Sequence, residues 1–195
     1  MTPADAVTIS QLDAEAAQTA IPALTDILAD AVEGGASVGF MAGAAMADYE
    51  RFWQGVATEV AAGRTILFVA TLGGRIVGTT QLQLIGKPNQ PHRAEIAKML
   101  VHSGARRRGI AERLLGAAEA EAKRRGRDLL VLDTDGASAA HALYSKLGWI
   151  EVGTIPRYAL MPDGRDCDAT FFYKSLLLQE PGPRAVQASD AAWRK

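Results

Sequence analysis

The sequence predicts an α/β (α+β) fold in which a mixed central β-sheet is flanked by helices and forms a single domain. A hairpin is one sign of this fold, because residues 65–71 and 75–85 are β-rich and are joined by Leu72-Gly73-Gly74. A second sign is a strand, a loop and a long helix in succession between residues 94 and 126. With 195 residues, 48% of them hydrophobic, the chain is long enough for one well-buried domain and short for two.

Before the hairpin, the pattern predicts one strand and two helices. Residues 6–9 are a candidate short strand, and residues 16–32 place apolar side chains near helical spacing. Residues 46–61 predict a second helix, which Gly63 ends. The two helices are joined by a glycine-rich connector over residues 34–41, which is either a flexible loop or a wall of a substrate pocket.

After the hairpin, strands and helices alternate. Residues 95–102 predict a strand that is either covered on both faces or interrupted by a bulge. A helix from residue 110 finishes in basic residues and Gly126, as the helix dipole and a left-handed cap favour. The remaining candidates are a strand over 129–132, a helix over 138–147, and strands over 149–160 and 168–178.

Composition limits the class of protein. The expected domain spans residues 1–178, and residues 179–195 are expected to be a disordered tail. A net charge of -1 and a pI near 6.3 argue against nucleic-acid binding. Cys167 is the only cysteine and the three histidines lack ligand spacing, so neither a disulfide nor a metal site is expected. With no visible leader or membrane-length apolar run, we expect a cytoplasmic protein without a membrane partner.

Residues 103–111 read Ser-Gly-Ala-Arg-Arg-Arg-Gly-Ile-Ala and lie between the predicted strand and helix. Backbone N–H groups at a helix start lack intrahelical partners and carry the positive end of the dipole, so they suit a phosphate. Gly109 permits close approach to the backbone, and Arg106, Arg107 and Arg108 add positive charge. The alternative is a solvated arginine-rich turn. The loop is neither a Walker loop nor a dinucleotide fingerprint, because both glycine patterns are absent.

Two motifs in the correct order resemble those of the GCN5-related N-acetyltransferases (GNATs). Arg106-x-x-Gly109-x-Ala111 resembles the (Gln/Arg)-x-x-Gly-x-(Gly/Ala) loop that holds the pyrophosphate of acetyl-CoA. Residues 142–149, Ala-Leu-Tyr-Ser-Lys-Leu-Gly-Trp, resemble the family's Leu-Tyr-x-Lys-x-Gly-Phe signature, and the element order is that of the GNAT fold. The resemblance implies acetyl-CoA as the cofactor, bound by Arg106, Arg107, Arg108, Gly109, Ile110 and Ala111. Within the superfamily, residues 34–41, 87–89, 132–134 and 162–165 look like the tabtoxin-resistance acetyltransferases.

The pantetheine arm of this cofactor needs further contacts. Extended ligand arms can pair with strand edges, so we expect backbone groups of Met99, Leu100 and Val101 to bind it. Many GNATs place an asparagine seven residues before the signature tyrosine, whereas this chain has Ala137. Ser138 is the candidate replacement, although its hydroxyl is also a plausible N-cap for the following helix.

Direct acyl transfer from a thioester needs a base for the nucleophile and a proton donor for the leaving thiolate. Tyr144 is the candidate donor to the coenzyme A sulfur, a role that the resemblance also implies, and the alternative is a core tyrosine. Glu95 begins the central strand and Asp133 ends the next one, beside the gap where parallel neighbours part. Either carboxylate is a candidate base, and the tabtoxin-resistance resemblance points to both together. The alternatives are orientation of a cationic substrate group, a solvated charge at Glu95, and a turn cap at Asp133.

The sequence therefore predicts an acetyl-CoA-dependent acetyltransferase that acts by direct transfer to a hydroxyl or amine of a small molecule. The resemblance favours a β-lactam dipeptide-type toxin or a related amino-acid-like compound as acceptor, and hence toxin resistance. A protein or peptide N-acetyltransferase and a non-catalytic acyl-CoA-binding sensor are the alternatives. Exposed antiparallel strands near the C-terminus also make a homodimer a candidate assembly.

Overall fold

The computed structural model describes residues 6–136 and 138–177, so the tail over 179–195 and Ala137 lie outside the described residues. A seven-stranded mixed sheet runs through these residues in the order β1-β2-β3-β4-β5-β7-β6. The strands are β1 (Thr8–Leu12), β2 (Thr65–Leu72), β3 (Arg75–Leu84), β4 (Arg93–Val101), β5 (Leu129–Asp135), β6 (Ile150–Leu160) and β7 (Asp166–Ser175). The helices are α1 (Ala14–Thr19), α2 (Ile21–Glu33), α3 (Met46–Ala61), α4 (Ile110–Arg124) and α5 (Ala139–Lys146), with a short 3-10 turn over Ser103–Ala105.

Helices cover both faces of the sheet over two hydrophobic cores. The first core lies under α4 and α5, where Leu114, Leu130 and Phe172 are fully buried. The second core lies under α1, α2 and α3, where Leu28 and Trp53 are buried. The central strands supply both cores, because successive side chains of a strand point to opposite faces. The predicted mixed sheet with flanking helices is confirmed.

The segment predicted as one helix over residues 16–32 is two helices. α1 begins after Asp13, whose side chain accepts a hydrogen bond from the Ala16 N–H at 2.8 Å. α2 begins immediately after Ala20 and has Pro22 in its first turn. Proline has no N–H to continue a preceding helix but suits the first turn of a new one. The single-helix prediction was therefore wrong.

The other predicted elements lie near their observed bounds. The first strand begins at Thr8 instead of residue 6, and β5 continues to Asp135 beyond its predicted end. No helix formed by residues 6–136 and 138–177 has the length and apolar character that a membrane crossing needs. In the same part of the chain, no three His, Cys, Asp or Glu side chains are grouped as a metal site would require.

β4 and β5 are parallel neighbours for only a short distance. Beyond this short pairing, β4 continues along β3 and β5 continues along β7. The two strands therefore diverge and leave an opening between them, on the side of the sheet where α4 begins. The paired residues are Arg93 with Leu129, Ala94 with Leu130, and Glu95 with Val131.

A bulge interrupts β4 beside this opening. The register between β3 and β4 shifts between Thr79 and Gln81, and Lys98 has a φ of 49°. Bulges bend a strand and increase its twist, so the bulge turns β4 away from β5. Both interpretations of residues 95–102 are confirmed, because β4 contains a bulge and also contributes Ala94 and Ile96 to the first core and Leu100 to the second.

β6 forms one edge of the sheet and is exposed along most of its length. Its outer backbone groups have no strand partner among the described residues. Several large apolar side chains on this strand are about half exposed or more, namely Ile150, Val152, Ile155, Tyr158 and Leu160.

Candidate active site

One carboxylate fixes the loop between β4 and α4 to helix α2. Asp30 accepts hydrogen bonds from the Ser103 N–H at 2.8 Å and from the Ser103 hydroxyl at 2.5 Å. Side-chain nitrogens of His102 and Arg106 each lie 3.8 Å from the same carboxylate. Burial raises the pKa of Asp30, but the hydrogen bonds from Ser103 and the two neighbouring side chains outweigh it, so the pKa lies below 3.8. Asp30 is therefore ionised at neutral pH and holds the loop in place.

The start of α4 offers free backbone donors and open space. Arg107 and Gly109 have left-handed φ values of 62° and 71°, and Gly109 is the N-cap residue. Arg113 donates the first backbone hydrogen bond of the helix to the Gly109 carbonyl, so the preceding amides have no helical acceptor. A Cβ at Gly109 would meet nothing within 4 Å. The loop therefore has the donors, charge and room that the pyrophosphate of acetyl-CoA needs.

The three arginines of this loop differ in their contacts. Arg106 donates from Nε to the Val101 carbonyl at 3.2 Å, and its guanidinium faces Asp30. Arg107 and Arg108 are exposed, and neither has a hydrogen bond or ion pair with any residue of the described ranges. Arg106 thus braces the loop, whereas the other two side chains are available to an anion.

The opening between β4 and β5 leaves one edge of β4 without a strand neighbour. Leu100 and Val101 pair with β3, Met99 lies at the bulge, and none of the three pairs with β5. Leu100 is buried in the second core, and the other two pack against the first. Because their side chains are engaged, the backbone is the part available to an extended ligand arm. Pantetheine binding by these residues stays a prediction.

Tyr144 lies in the first core with its hydroxyl unbonded. The residue is 4% exposed, and its ring centroid is 5.8 Å from those of Trp149 and Phe172. No residue in the described part of the chain hydrogen-bonds to the hydroxyl. Burial, and to a lesser degree the negative charge of Asp133, raise the pKa of Tyr144 to about 12. The ring has a core position, and the hydroxyl remains a protonated donor at neutral pH.

Glu95 and Asp133 share one face of the sheet. Glu95 lies opposite Val131 in the parallel pair, and Asp133 is two residues further along β5, so both side chains project to the same side. Glu95 forms an ion pair with Arg93 at 3.1 Å. Asp133 is exposed and contributes to the raised pKa of Tyr144, which places its charge beside the phenol. The negative charge of Asp133 therefore acts on the Tyr144 phenol at the opening, and Glu95 lies on the same face of the sheet as Asp133.

The sequence analysis did not single out Lys98, which projects toward the α3 side of β4. Its Nζ lies 5.2 Å from the centre of the Phe52 ring, and a Cβ at Gly39 would be 3.9 Å from it. Burial lowers the pKa of Lys98, and the negative charge of Asp133 opposes that effect. The available signal was a lysine within the otherwise apolar run Ala97-Lys98-Met99-Leu100. Only the bulge, which depends on strand pairing, decides where that side chain points.

The glycine-rich connector over residues 34–41 is tied to the turn between β6 and β7. The Ser37 hydroxyl donates to the Leu160 carbonyl at 2.8 Å, and the Ala42 N–H donates to the Pro162 carbonyl at 2.9 Å. Between these ties the connector approaches the Lys98 ammonium group, which would lie 3.9 Å from a Cβ at Gly39. These contacts favour a pocket wall over a flexible loop.

Ser138 is the N-cap residue of α5, but its hydroxyl does not cap the helix. The hydroxyl donates to the Asp135 carbonyl at 2.7 Å and lies 3.2 Å from the Thr134 hydroxyl. It is therefore engaged in the loop that follows β5. A contact between Ser138 and the cofactor stays a prediction.

A ligand with a diphosphate, an extended amide arm and a reactive sulfur would meet the start of α4, the free edge of β4 and Tyr144 in that order. Coenzyme A carries its groups in this order, so the fold and the arrangement of the site fit a coenzyme A-dependent acyltransferase. The model of the acetyltransferase (GNAT) family matches residues 39–149, which is more than half of the chain. The chain therefore belongs to the GNAT acetyltransferase family, whose acyl donor is acetyl-CoA.

Individual relatives agree with this assignment. An uncharacterized N-acetyltransferase from the hisH-hisA intergenic region of Azospirillum brasilense is 38% identical over 112 residues, which span 56% of this chain and 65% of that relative. A ribosomal-protein-alanine N-acetyltransferase from Brucella melitensis superposes with a TM-score of 0.72 and 27% identity over 87% of this chain and 99% of that one. The yncA protein from Salmonella typhimurium, solved with acetyl-CoA, has a TM-score of 0.72 and 21% identity over 93% and 99% of the two chains.

We expect the Tyr144 phenol to ionise near pH 12, well above the ordinary tyrosine value of 10.0, because it is buried. Stopped-flow absorbance after pH jumps follows the formation of tyrosine phenolate as a function of pH. The titration step near pH 12 should be absent in Tyr144→Phe and present in Tyr49→Phe. Between pH 10 and 12 the folded protein holds this proton more tightly than the unfolded chain, so the free energy of unfolding should fall across that window. If Tyr144→Phe instead loses a titration step near pH 10, the claim that burial raises the pKa of Tyr144 is contradicted.

The contacts of the arginines predict separate effects on stability and on binding. Replacing Arg107 and Arg108 together by Ala should leave the Tm of the free protein unchanged and weaken acetyl-CoA binding roughly ten- to hundredfold, because hydrogen bonds to charged groups contribute about 1.5–3 kcal/mol. Arg106→Ala should lower the Tm of the free protein, because it removes the contacts with Asp30 and Val101. Thermal shift with and without acetyl-CoA measures both effects. Equal stabilisation of the wild type and the double variant by acetyl-CoA would contradict a role for Arg107 and Arg108 in binding the pyrophosphate.

Proposed function

We propose that the protein transfers the acetyl group of acetyl-CoA directly to an amine or hydroxyl of a small molecule. The observation that carries this proposal is a buried, unbonded and protonated Tyr144 hydroxyl that feels the negative charge of Asp133 at the opening between β4 and β5. A protein that only binds acyl-CoA would need the loop before α4 but would have no use for this donor and base. The arrangement therefore favours turnover over a sensor role.

Three side chains supply the chemistry. When bound, acetyl-CoA supplies an acetyl thioester. Asp133 or Glu95 accepts the proton that the acceptor nitrogen or oxygen loses, and the Tyr144 hydroxyl supplies a proton to the leaving sulfur. One N–H or O–H bond and the C–S bond break, while a C–N or C–O bond and an S–H bond form, so no further reactant is required.

Asp133 is the better candidate for the base. The Glu95 carboxylate is already engaged in an ion pair with Arg93 at 3.1 Å. Asp133 has no ion pair within the described residues and lies beside Tyr144. Glu95 is then suited to orient a cationic group of the acceptor, on the same face of the sheet.

We propose that the acceptor is a small amino-acid-like compound, with a β-lactam toxin as one member of that class. The support is the resemblance of residues 34–41 and 162–165 to the tabtoxin-resistance acetyltransferases, together with the hydrogen bonds from Ser37 to Leu160 and from Ala42 to Pro162, which hold the two regions side by side. Acetylation of a protein N-terminus is the second candidate, favoured by the 27% identity with the ribosomal-protein-alanine N-acetyltransferase from Brucella melitensis. The two candidate acceptors, a small amino-acid-like compound and a protein N-terminus, differ in size.

Thiol release from acetyl-CoA tests this function. The acceptor panel should contain amino acids, hydroxylated amino acids, β-lactam dipeptides and short peptides with free N-termini. We expect small molecules to give thiol well above hydrolysis, and Tyr144→Phe to lower kcat by about 10²- to 10⁴-fold, the usual contribution of general acid catalysis, with acetyl-CoA binding unchanged. Asp133→Asn should lower kcat by more than Glu95→Gln does.

Tyr49→Phe is the matched control, because it removes another buried tyrosine hydroxyl, one that lies in the second core. It should leave turnover unchanged. A preference for peptides over all small molecules would establish the second candidate. Binding of acetyl-CoA without thiol release above hydrolysis for any acceptor would overturn the enzymatic proposal.

We also propose that two copies of the chain associate through the edge strand β6. The support is its unpaired outer edge and the exposure of apolar side chains along it, which reaches 68% at Val152. A charged side chain on an edge strand disfavours such pairing, so Val152→Lys is the informative variant.

Light scattering after size exclusion tests the association. We expect a mass of about twice the 20.7 kDa chain for the wild type and a monomer for Val152→Lys. Met46→Lys, which changes an exposed apolar residue on α3, should leave the mass unchanged. A monomeric wild type at high protein concentration would contradict the proposed association.

A further inference from the structure

Lys98 is placed by a strained backbone on the acceptor side of the opening. Its φ of 49° lies in the left-handed region, which is unfavourable for a non-glycine residue. In an unbroken strand, Lys98 would point to the face opposite Ala97 and into the first core. The bulge instead carries its Nζ to 5.2 Å from the Phe52 ring of α3. The bulge therefore keeps this cation out of the first core and on the α3 side of β4, beside the opening.

The ammonium group of Lys98 has no counter-charge within reach. Among residues 6–136 and 138–177, no carboxylate lies within ion-pair distance of Nζ, and no hydrogen bond to it is formed. Lys174, another half-buried lysine, has partners for its ammonium group. It donates to Glu119 at 2.7 Å and to the Leu147 carbonyl at 2.9 Å. Removing a cation from water without such partners is unfavourable. Lys98 thus differs from Lys174, whose ion pair and hydrogen bond stabilise the fold.

Three surrounding elements define what Lys98 can contact. The Phe52 ring lies on one side, and the connector at Gly39 passes within contact distance on another. Asp133 lies across the opening and stabilises the charged form of Lys98 without pairing with it. The pocket therefore presents one positive and one negative group on the face where the acceptor is expected.

The nearby negative charge of Asp133 limits the kind of anion that Lys98 can bind. A dianionic phosphate would be repelled by Asp133 more strongly than a singly charged carboxylate. A carboxylate on Lys98 would also leave an attached amine free to face Asp133. The charges of the pocket are complementary to a molecule that carries both groups.

We infer that Lys98 binds a carboxylate of the acceptor, so that the acceptor is an amino-acid-like compound with its carboxylate at Lys98 and its reacting amine or hydroxyl at Asp133. This inference rests on the proposed acetyl transfer and makes its substrate class specific. Lys98 is a specificity residue for the acceptor, and it has no part in holding the pyrophosphate at α4.

Matched acceptors test the inference through kinetics. L-amino acids and their primary amides differ in the carboxylate and keep the same amine. We expect the wild type to favour the acids in kcat/KM by at least tenfold. Lys98→Met should raise KM for the acids at least tenfold with little change in kcat, leave the amides unaffected, and abolish the preference. Lys98→Arg should retain part of the preference for acids over amides.

Lys123→Met is the matched control for the loss of a charge. Lys123 is exposed in the last turn of α4, far from the opening, so its replacement should leave both KM values unchanged. An equal loss of kcat for acids and amides in Lys98→Met, or unchanged KM values, would overturn the inference.

A binding measurement without turnover separates this inference from the proposed function. In protein labelled with ¹³C at the lysine Cε positions and saturated with coenzyme A, the Lys98 signal is the one missing in Lys98→Arg. We expect amino acids to shift this signal and the corresponding amides to leave it in place. If no acceptor releases thiol, the proposed function fails while this titration still decides the role of Lys98. If transfer occurs and no amino acid shifts the signal, only the inference about Lys98 fails.

Discussion

The early end of the parallel pairing between β4 and β5 is the constraint on which the rest of the molecule depends. Paired strands lie about 4.8 Å apart, so a ligand arm can enter only where they separate. The separation begins after Glu95 and Val131, because each strand continues on its outer neighbour and a bulge bends β4. It exposes one edge of β4 and brings Asp133 beside Tyr144.

The scaffold keeps this opening in place without filling it. The two cores lie on opposite faces of the sheet, so α4 and α5 support one side and α1 to α3 support the other. Asp30 joins the sides by binding Ser103 at the start of the loop that leads into α4. The charges lie at two separate places, with the exposed Arg107 and Arg108 at the helix start and Lys98 facing Asp133 at the other end of the opening. A pocket with this distribution can hold a diphosphate and a zwitterion at separate places.

The sequence predicted the features that depend on neighbouring residues. The hairpin, α3 and the glycine at the start of α4 follow from periodicity and turn chemistry, which act over a few positions. The signature around Tyr144 and the positions of Glu95 and Asp133 on neighbouring strands also indicated candidate catalytic side chains, whose roles stay predictions. Features that depend on distant contacts were missed. The brace between Arg106 and Asp30 joins separate elements, and the orientation of Lys98 depends on the register between β3 and β4. The break between α1 and α2 is a local effect, and its signal in the sequence was Pro22.

The most direct test of this account is a crystal structure of the protein with coenzyme A. We predict that its diphosphate oxygens accept hydrogen bonds from the backbone N–H groups around Gly109 and that its amide arm follows the free edge of β4. The sulfur should lie within hydrogen-bonding distance of the Tyr144 hydroxyl. A complex in which the arm lies outside the opening between β4 and β5, or in which the sulfur is remote from Tyr144, would contradict the account.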